Sequence, residues 1–130
     1  MRREAGMRAR RILFGIAAAG LLVAGLRVAS AQDPAVVNAK SITVKFENDK
    51  VRVLEASIAP GMKEQMHSHP GYVIYVIEGG KMRGHTADGK VSESEFKPGE
   101  VLYRDPVTHW AENVGNTTVR LILVELKKPS

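Results

Sequence analysis

From Ile42 onward, apolar and polar residues alternate in short runs. Ile42, Val44 and Phe46 alternate with Thr43 and Lys45, and Asn48-Asp49 marks a turn before a second run, Val51–Ile58. Pro60-Gly61 breaks that run, residues 62–69 read as extended, and Tyr72–Glu78 follows as a buried strand. Gly79-Gly80 turns the chain into residues 81–86. Asp88-Gly89 before Val91–Phe96 is a two-residue hairpin signal, because both positions tolerate positive φ. Pro98-Gly99 closes the hairpin, and Val101–Arg104, a bend at Asp105-Pro106, residues 109–114, a turn at Gly115-Asn116 and residues 118–126 complete the pattern. Turn signals recurring roughly every 8–12 residues, with no amphipathic helical run among them, predict an all-β sandwich or barrel.

Residues 72–77 and 119–124 are apolar on both faces of a strand. Such a strand needs cover on each side, once from the barrel interior and once from another sheet or subunit. The pattern therefore predicts a homodimer.

The first thirty residues follow different rules. Five arginines (Arg2, Arg3, Arg8, Arg10, Arg11) precede an uncharged stretch, residues 12–26, that is rich in Ala, Leu and Gly, and Ala29-Ser30-Ala31 supplies a small-x-small site. That order is the signature of a cleavable signal peptide over residues 1–31, cut between Ala31 and Gln32. The apolar stretch is shorter than the roughly 20 residues a membrane span requires. Export to the periplasm or medium is expected, with no stable membrane insertion after cleavage. Arg10-Arg11 also resembles a twin-arginine signal, so the export route stays open.

Removal of the leader changes the charge balance. The whole chain carries 19 Lys and Arg against 14 Asp and Glu; without the five leading arginines, Arg27 and Glu4, the counts are 13 and 13. The basicity belongs to the targeting segment, and no electrostatic footprint for nucleic acid remains. Cysteine is absent, which excludes disulfides and thiolate ligands. Residues 32–40, small and weakly patterned, read as a flexible arm.

Candidate chemistry sits in His67-Ser68-His69. In a strand, residues two apart project from one face, so both imidazoles point to the same side. Pro70 biases His69 toward an extended conformation, and the apolar run behind it anchors the pair. His109 follows a turn and opens a strand in the second half of the pattern. Three imidazoles meeting at a barrel mouth suit a divalent transition metal such as Fe, Zn, Mn, Ni or Cu.

These residues resemble the cupins. The first motif of that family is Gly, five residues, His-x-His, three or four residues, Glu, six residues, Gly; here Gly61 stands five residues before His67-Ser68-His69 and Gly79 closes the motif. The second motif ends in His, three residues, Asn, matched by His109 and Asn113 with Gly99 and Pro106 upstream. The resemblance is nearest to small single-domain cupins of the β-alanine-degradation type. It implies a double-stranded β-helix jelly roll over residues 41–128 with a metal in its lumen. Oxygenases, isomerases, decarboxylases and plain binding domains all share that fold. Two departures stand out: Tyr72 occupies the place of the family's glutamate ligand, after a spacer one residue short, and Thr108 stands where glycine is usual, with His109 following it without the usual two-residue gap.

A metal held by three neutral histidines keeps its charge uncompensated, which favours a small anionic ligand. Tyr72 and Tyr75 lie on opposite faces of one strand, so one of them is expected to line the lumen. Arg83 and Tyr103 are candidates to orient a bound acid, the competing reading being a solvated arginine and a core tyrosine. His85 is a weaker candidate, and Trp110 should point away from His109. The functional readings that follow are a metal-dependent enzyme with oxygenase-like activity, a non-catalytic periplasmic binding or sensing module, and a structural remnant.

Overall fold

The computed structural model describes residues 32–129; the expected leader, residues 1–31, lies outside the described residues. A single helical turn, α1 (Pro34–Val37), precedes nine strands: β1 (Ile42–Glu47), β2 (Val51–Ile58), β3 (His67–His69), β4 (Tyr72–Glu78), β5 (Gly80–Thr86), β6 (Val91–Phe96), β7 (Val101–Arg104), β8 (Val107–Asn113) and β9 (Val119–Leu126). They form a five-stranded sheet, β1-β2-β9-β4-β7, and a four-stranded sheet, β3-β8-β5-β6. All ladders are antiparallel. The architecture is the expected all-β double-stranded β-helix.

Strict alternation decides which residues enter the space between the sheets. Along β2, Leu54, Ala56 and Ile58 face inward, and along β9 Val119, Leu121 and Leu123 do the same, all at most 6% exposed. With Ile74 and Val76 of β4 they make one wall of the lumen aliphatic. The four-stranded sheet supplies the other wall, and it carries the histidines.

Cross-strand register also fixes rows on the outer face of the large sheet. Phe46, Val53, Val124, Val73 and Tyr103 are successive partners across all five strands. The two-sided apolar runs 72–77 and 119–124 thus occupy central strands whose inner faces are covered, whereas on the outer face Tyr75 remains 46% and Tyr103 56% exposed.

Three local details differ from the pattern-based expectation. Only His67–His69 of the extended 62–69 stretch pairs as a strand, joined by a lone bridge from Lys63 to Glu112, because Gly61 takes φ +78° and redirects the chain. At the Asp88-Gly89 turn only Gly89 adopts positive φ; Gly89 N–H donates to Thr86 O and Thr86 N–H to Lys90 O, which makes a three-residue loop with a glycine bulge rather than a two-residue turn. Residues 32–40, read as a loose arm, include α1, whose first turn is capped by Asp33 accepting from Ala35 N–H at 2.9 Å. Arg52 holds Asp33 with two hydrogen bonds of 2.9 Å, and Ser68 N–H donates to Gln32 O at 2.8 Å, so the segment is stitched to β2 and β3.

Asn113, at the end of β8, binds these pieces together. Its side chain is 2% exposed; Nδ2 donates to Ile58 O and Thr117 O at 2.8 Å each, and Oδ1 accepts from Gly115 N–H at 3.0 Å. The glycine that closes the first motif is required sterically, since a Cβ on Gly79 would run into the Phe96 carbonyl.

Candidate metal centre

β3 and β8 run antiparallel with His67 opposite His109 and His69 opposite Val107. Alternation then puts His67, His69 and His109 on the lumenal side of the four-stranded sheet. One ligating nitrogen from each lies within 4.8 Å of the others. His67 is 1% and His69 5% exposed. The rings stand edge to face, with centroids 4.8 Å apart for His67 and His69 and 4.7 Å for His67 and His109.

The hydrogen bonds decide which nitrogens are free. His67 Nδ1 lies 2.7 Å from Gln65 O and so carries the proton; the same carbonyl accepts from Asn38 Nδ2 at 3.2 Å, while Asn38 Oδ1 accepts from Gln65 N–H at 2.7 Å. His69 Nδ1 lies 2.6 Å from Glu125 Oε1 and donates to it. In both rings Nε2 is left with its lone pair directed into the lumen. His109 Nε2 is buried with no hydrogen-bond partner. A buried nitrogen without a partner costs stability unless something else meets it. Three convergent imidazole lone pairs, one of them orphaned, fit a divalent transition metal.

The electrostatics agree with that use. Burial, reinforced by its histidine neighbours, holds His109 down at about 3; burial and the nearby His69 hold His67 at about 4 despite the opposing Gln65 carbonyl. Both are neutral at pH 7, the state in which imidazole ligates.

The histidines border a cavity of about 380 Å³ walled by Ile58, Ile74, Leu121 and Leu123. Of the candidates for ligand contact, Tyr72 is there. It is 4% exposed and its ring stacks on His69 at 4.6 Å. Burial pushes its phenol up to about 12, which disfavours the phenolate.

Tyr75, Arg83 and Tyr103 are not part of the cavity wall, which corrects their assignment. Tyr75 and Tyr103 have the opposite strand parity to Tyr72 and its partner Arg104, so they face outward. Tyr103 instead covers Gly71, where an added Cβ would press on its hydroxyl. Arg83 pairs with Glu93 at 2.6 Å and Glu112 at 3.4 Å on the outer face of β5. His85 borders the cavity, yet its ring stacks on Trp110 at 3.7 Å and its Nε2 lies 3.2 Å from Glu112. Trp110 faces away from His109, as alternation requires.

Four residues that pattern reasoning passed over complete the surroundings. Asn38 braces the Gln65 carbonyl that orients His67. Glu125 orients His69 and is itself 3.8 Å from Arg52. Its position was legible, since it continues the inward parity of Val119, Leu121 and Leu123 but carries charge. Arg104, opposite Tyr72 in the ladder, brings a cation to the cavity mouth. Glu64 enters the cavity from outside any strand, with Oε2 3.8 Å from His67 Nε2.

Comparisons with known proteins bear on this geometry. Residues 54–125, a span that includes all three histidines, match the family model described as the cupin domain. Among solved structures, a cupin domain from Bordetella pertussis is 27% identical over 67% of this chain and 92% of its own, with a TM-score of 0.61. A double-stranded β-helix protein from Klebsiella pneumoniae is 24% identical over 65% and 73% of the two chains, TM-score 0.51. A cupin-like protein from Thermotoga maritima is 21% identical over 66% and 67%, TM-score 0.52. The latter two likenesses concern the fold alone. No curated protein matches the chain.

Proposed function

The chain belongs to the cupin-domain family, and from that premise we propose that it is an exported, metal-dependent cupin that takes a small anionic ligand at a three-histidine centre and acts on it in oxygenase-like fashion. The observation that carries this reading is the convergence of the His67, His69 and His109 nitrogens within 4.8 Å. A divalent Fe, Mn, Ni, Cu or Zn ion held there would supply Lewis acidity and, for the redox-active members of that set, one-electron chemistry. The chain's own residues do the rest. Glu125 and the Gln65 carbonyl hold two imidazoles in the ligating tautomer, the aliphatic wall excludes water, and Arg104 offers an incoming anion its first positive charge.

Capture without turnover is the second reading. It is favoured by the aliphatic side of the cavity, where Ile58, Ile74, Leu121 and Leu123 offer a substrate no groups that move protons, in contrast to the side lined by Glu64, His85 and Asp105.

Elemental analysis of untagged protein tests the premise. We expect near-stoichiometric metal that is lost in the His67→Ala, His69→Ala double variant; a metal-free wild type overturns the reading. Oxygen uptake against small acids, diketones and thiols then separates the two uses, since loaded protein that consumes no oxygen is a binder. Export through cleavage at Ala31/Gln32 is part of the proposal, and a periplasmic product whose mass begins at Gln32 is its expected result. The proposed assembly is a homodimer through the apolar outer row of the five-stranded sheet.

A further inference from the structure

Three neutral imidazoles bring no negative charge to a divalent ion, and the position where the cupin motif carries its carboxylate holds Tyr72. A carboxylate nevertheless reaches this cavity by another route. Glu64 precedes the histidine pair instead of following it, and lies in the irregular segment between β2 and β3. That segment is pinned against β8. Glu64 N–H donates to Ala111 O at 2.8 Å, the neighbouring Lys63 bridges to Glu112, and Asn113 N–H donates to Met62 O at 3.0 Å. Ala111 is two residues beyond His109 on the lumenal face, so the backbone contact fixes Glu64 beside the metal-facing wall.

The side chain follows. It is 5% exposed, and Oε2 lies 3.8 Å from His67 Nε2, the nitrogen left free by the Gln65 tie. Donor atoms sharing one ion at about 2.1 Å stand roughly 3–4 Å apart, so the spacing from His67 suits two ligands of one centre; Glu64 stands beside His67, outside the group of three histidines whose nitrogens lie within 4.8 Å of one another. Among the described residues no side chain donates a hydrogen bond to the Glu64 carboxylate. Lys63 is directed to Glu112 at 3.7 Å instead.

A carboxylate in that setting needs a cation. Burying an unpaired charge is costly, and glutamine would fill the same space without that cost. Besides Arg104 at the cavity mouth, the candidate counter-charge is the ion that three imidazole nitrogens would hold next to Glu64.

We propose that Glu64 is the anionic fourth ligand of the metal centre, entering ahead of His67 and taking over the role of the carboxylate that Tyr72 replaces. This rests on the three-histidine reading above and deepens it. The centre becomes three histidines and one glutamate, with the glutamate contributed by a different part of the chain, and its net charge falls from two to one.

The test compares wild type with Glu64→Gln, which keeps the volume and removes the charge. Zinc affinity is measured by chelator competition and the ligand field by the visible spectrum of the cobalt(II) protein. We expect zinc binding about 100-fold weaker or worse in the variant, beyond the 10–100-fold that outer-shell changes cause, together with an altered cobalt spectrum. A variant equal to wild type in both overturns Glu64 as a ligand and leaves the three-histidine centre standing; a wild type that binds neither metal overturns both. If the variant fails to fold, a crystal structure of wild type grown with zinc decides. A Glu64 oxygen at about 2.0–2.2 Å from the ion supports the proposal, and a carboxylate turned away from it overturns it.

Discussion

His67 and His109 are direct partners in the β3–β8 ladder, and their ring centroids stand 4.7 Å apart. The ladder register thereby creates the site. A one-residue slip of β3 against β8 would send a histidine to the outer face and dismantle the cluster.

Glu125→Gln should weaken metal binding while leaving the fold intact. The carboxylate accepts the His69 Nδ1 proton at 2.6 Å and so fixes the ligating nitrogen. Loss of such an orienting partner costs about 10–100-fold in metal affinity. Chelator competition measures it, and an unchanged affinity would mean that stacking on Tyr72 suffices to orient the ring.

Asn113→Ala should be costly for stability. It strips hydrogen bonds from the Ile58 and Thr117 carbonyls and from Gly115 N–H at a position 2% exposed. Leaving such groups unpaired costs about 2–4 kcal/mol in total. Urea denaturation should show the midpoint falling with little change in slope.

Metal-free protein should lose stability on acidification. His67 and His109 are held at about 4 and about 3 in the fold, against 6.5 ordinarily. Between those values the unfolded chain binds protons that the folded chain refuses, so lowering the pH from 6.5 toward 4 favours unfolding. Glu64 has the opposite sign in a higher window, because its carboxyl at about 7 exceeds the ordinary 4.5 and stability is lost as the pH rises through that interval. Two histidines outweigh one carboxyl, which puts maximal stability near pH 6.5–7 and a loss of a few kcal/mol by pH 4. Thermal melts of chelator-treated protein across that range would contradict this if the melting temperature stayed flat.

Val124→Lys should abolish the proposed dimer. Val124 sits mid-row between Val53 and Val73 on the outer face, where a second copy would bury it. Light scattering coupled to size exclusion reads the mass, with circular dichroism confirming the retained barrel. A wild type that runs as a monomer at micromolar concentration counts against the dimer.

Much of the fold was legible in the sequence because strands with one buried face advertise their period. Val51–Ile58, Tyr72–Glu78, Val91–Phe96 and Val101–Arg104 fall where alternation and turn residues put them. The histidine triad was legible for the same reason, since His67 and His69 share a strand face and the motif spacing pointed to His109. Parity sorts the ligand-contact candidates. Tyr75 and Tyr103 are as aromatic as Tyr72, but their strand phase turns them outward.

Composition and period by themselves determined the all-β class, most of the strand positions and the shared face of His67 and His69, because these are local consequences of side-chain alternation and backbone preference. Tertiary structure alone decided what surrounds the histidines. Glu64 belongs to no strand, so no period predicts its direction, and a backbone bond to Ala111 turns it inward. Asn38 and Glu125 come from opposite ends of the domain and meet His67 and His69 only because the sheets close around them. The parity of Glu125 announces that it points inward, but which residue it meets carries no local signature, since the free energy of such long-range pairings is realised only when the chain is folded.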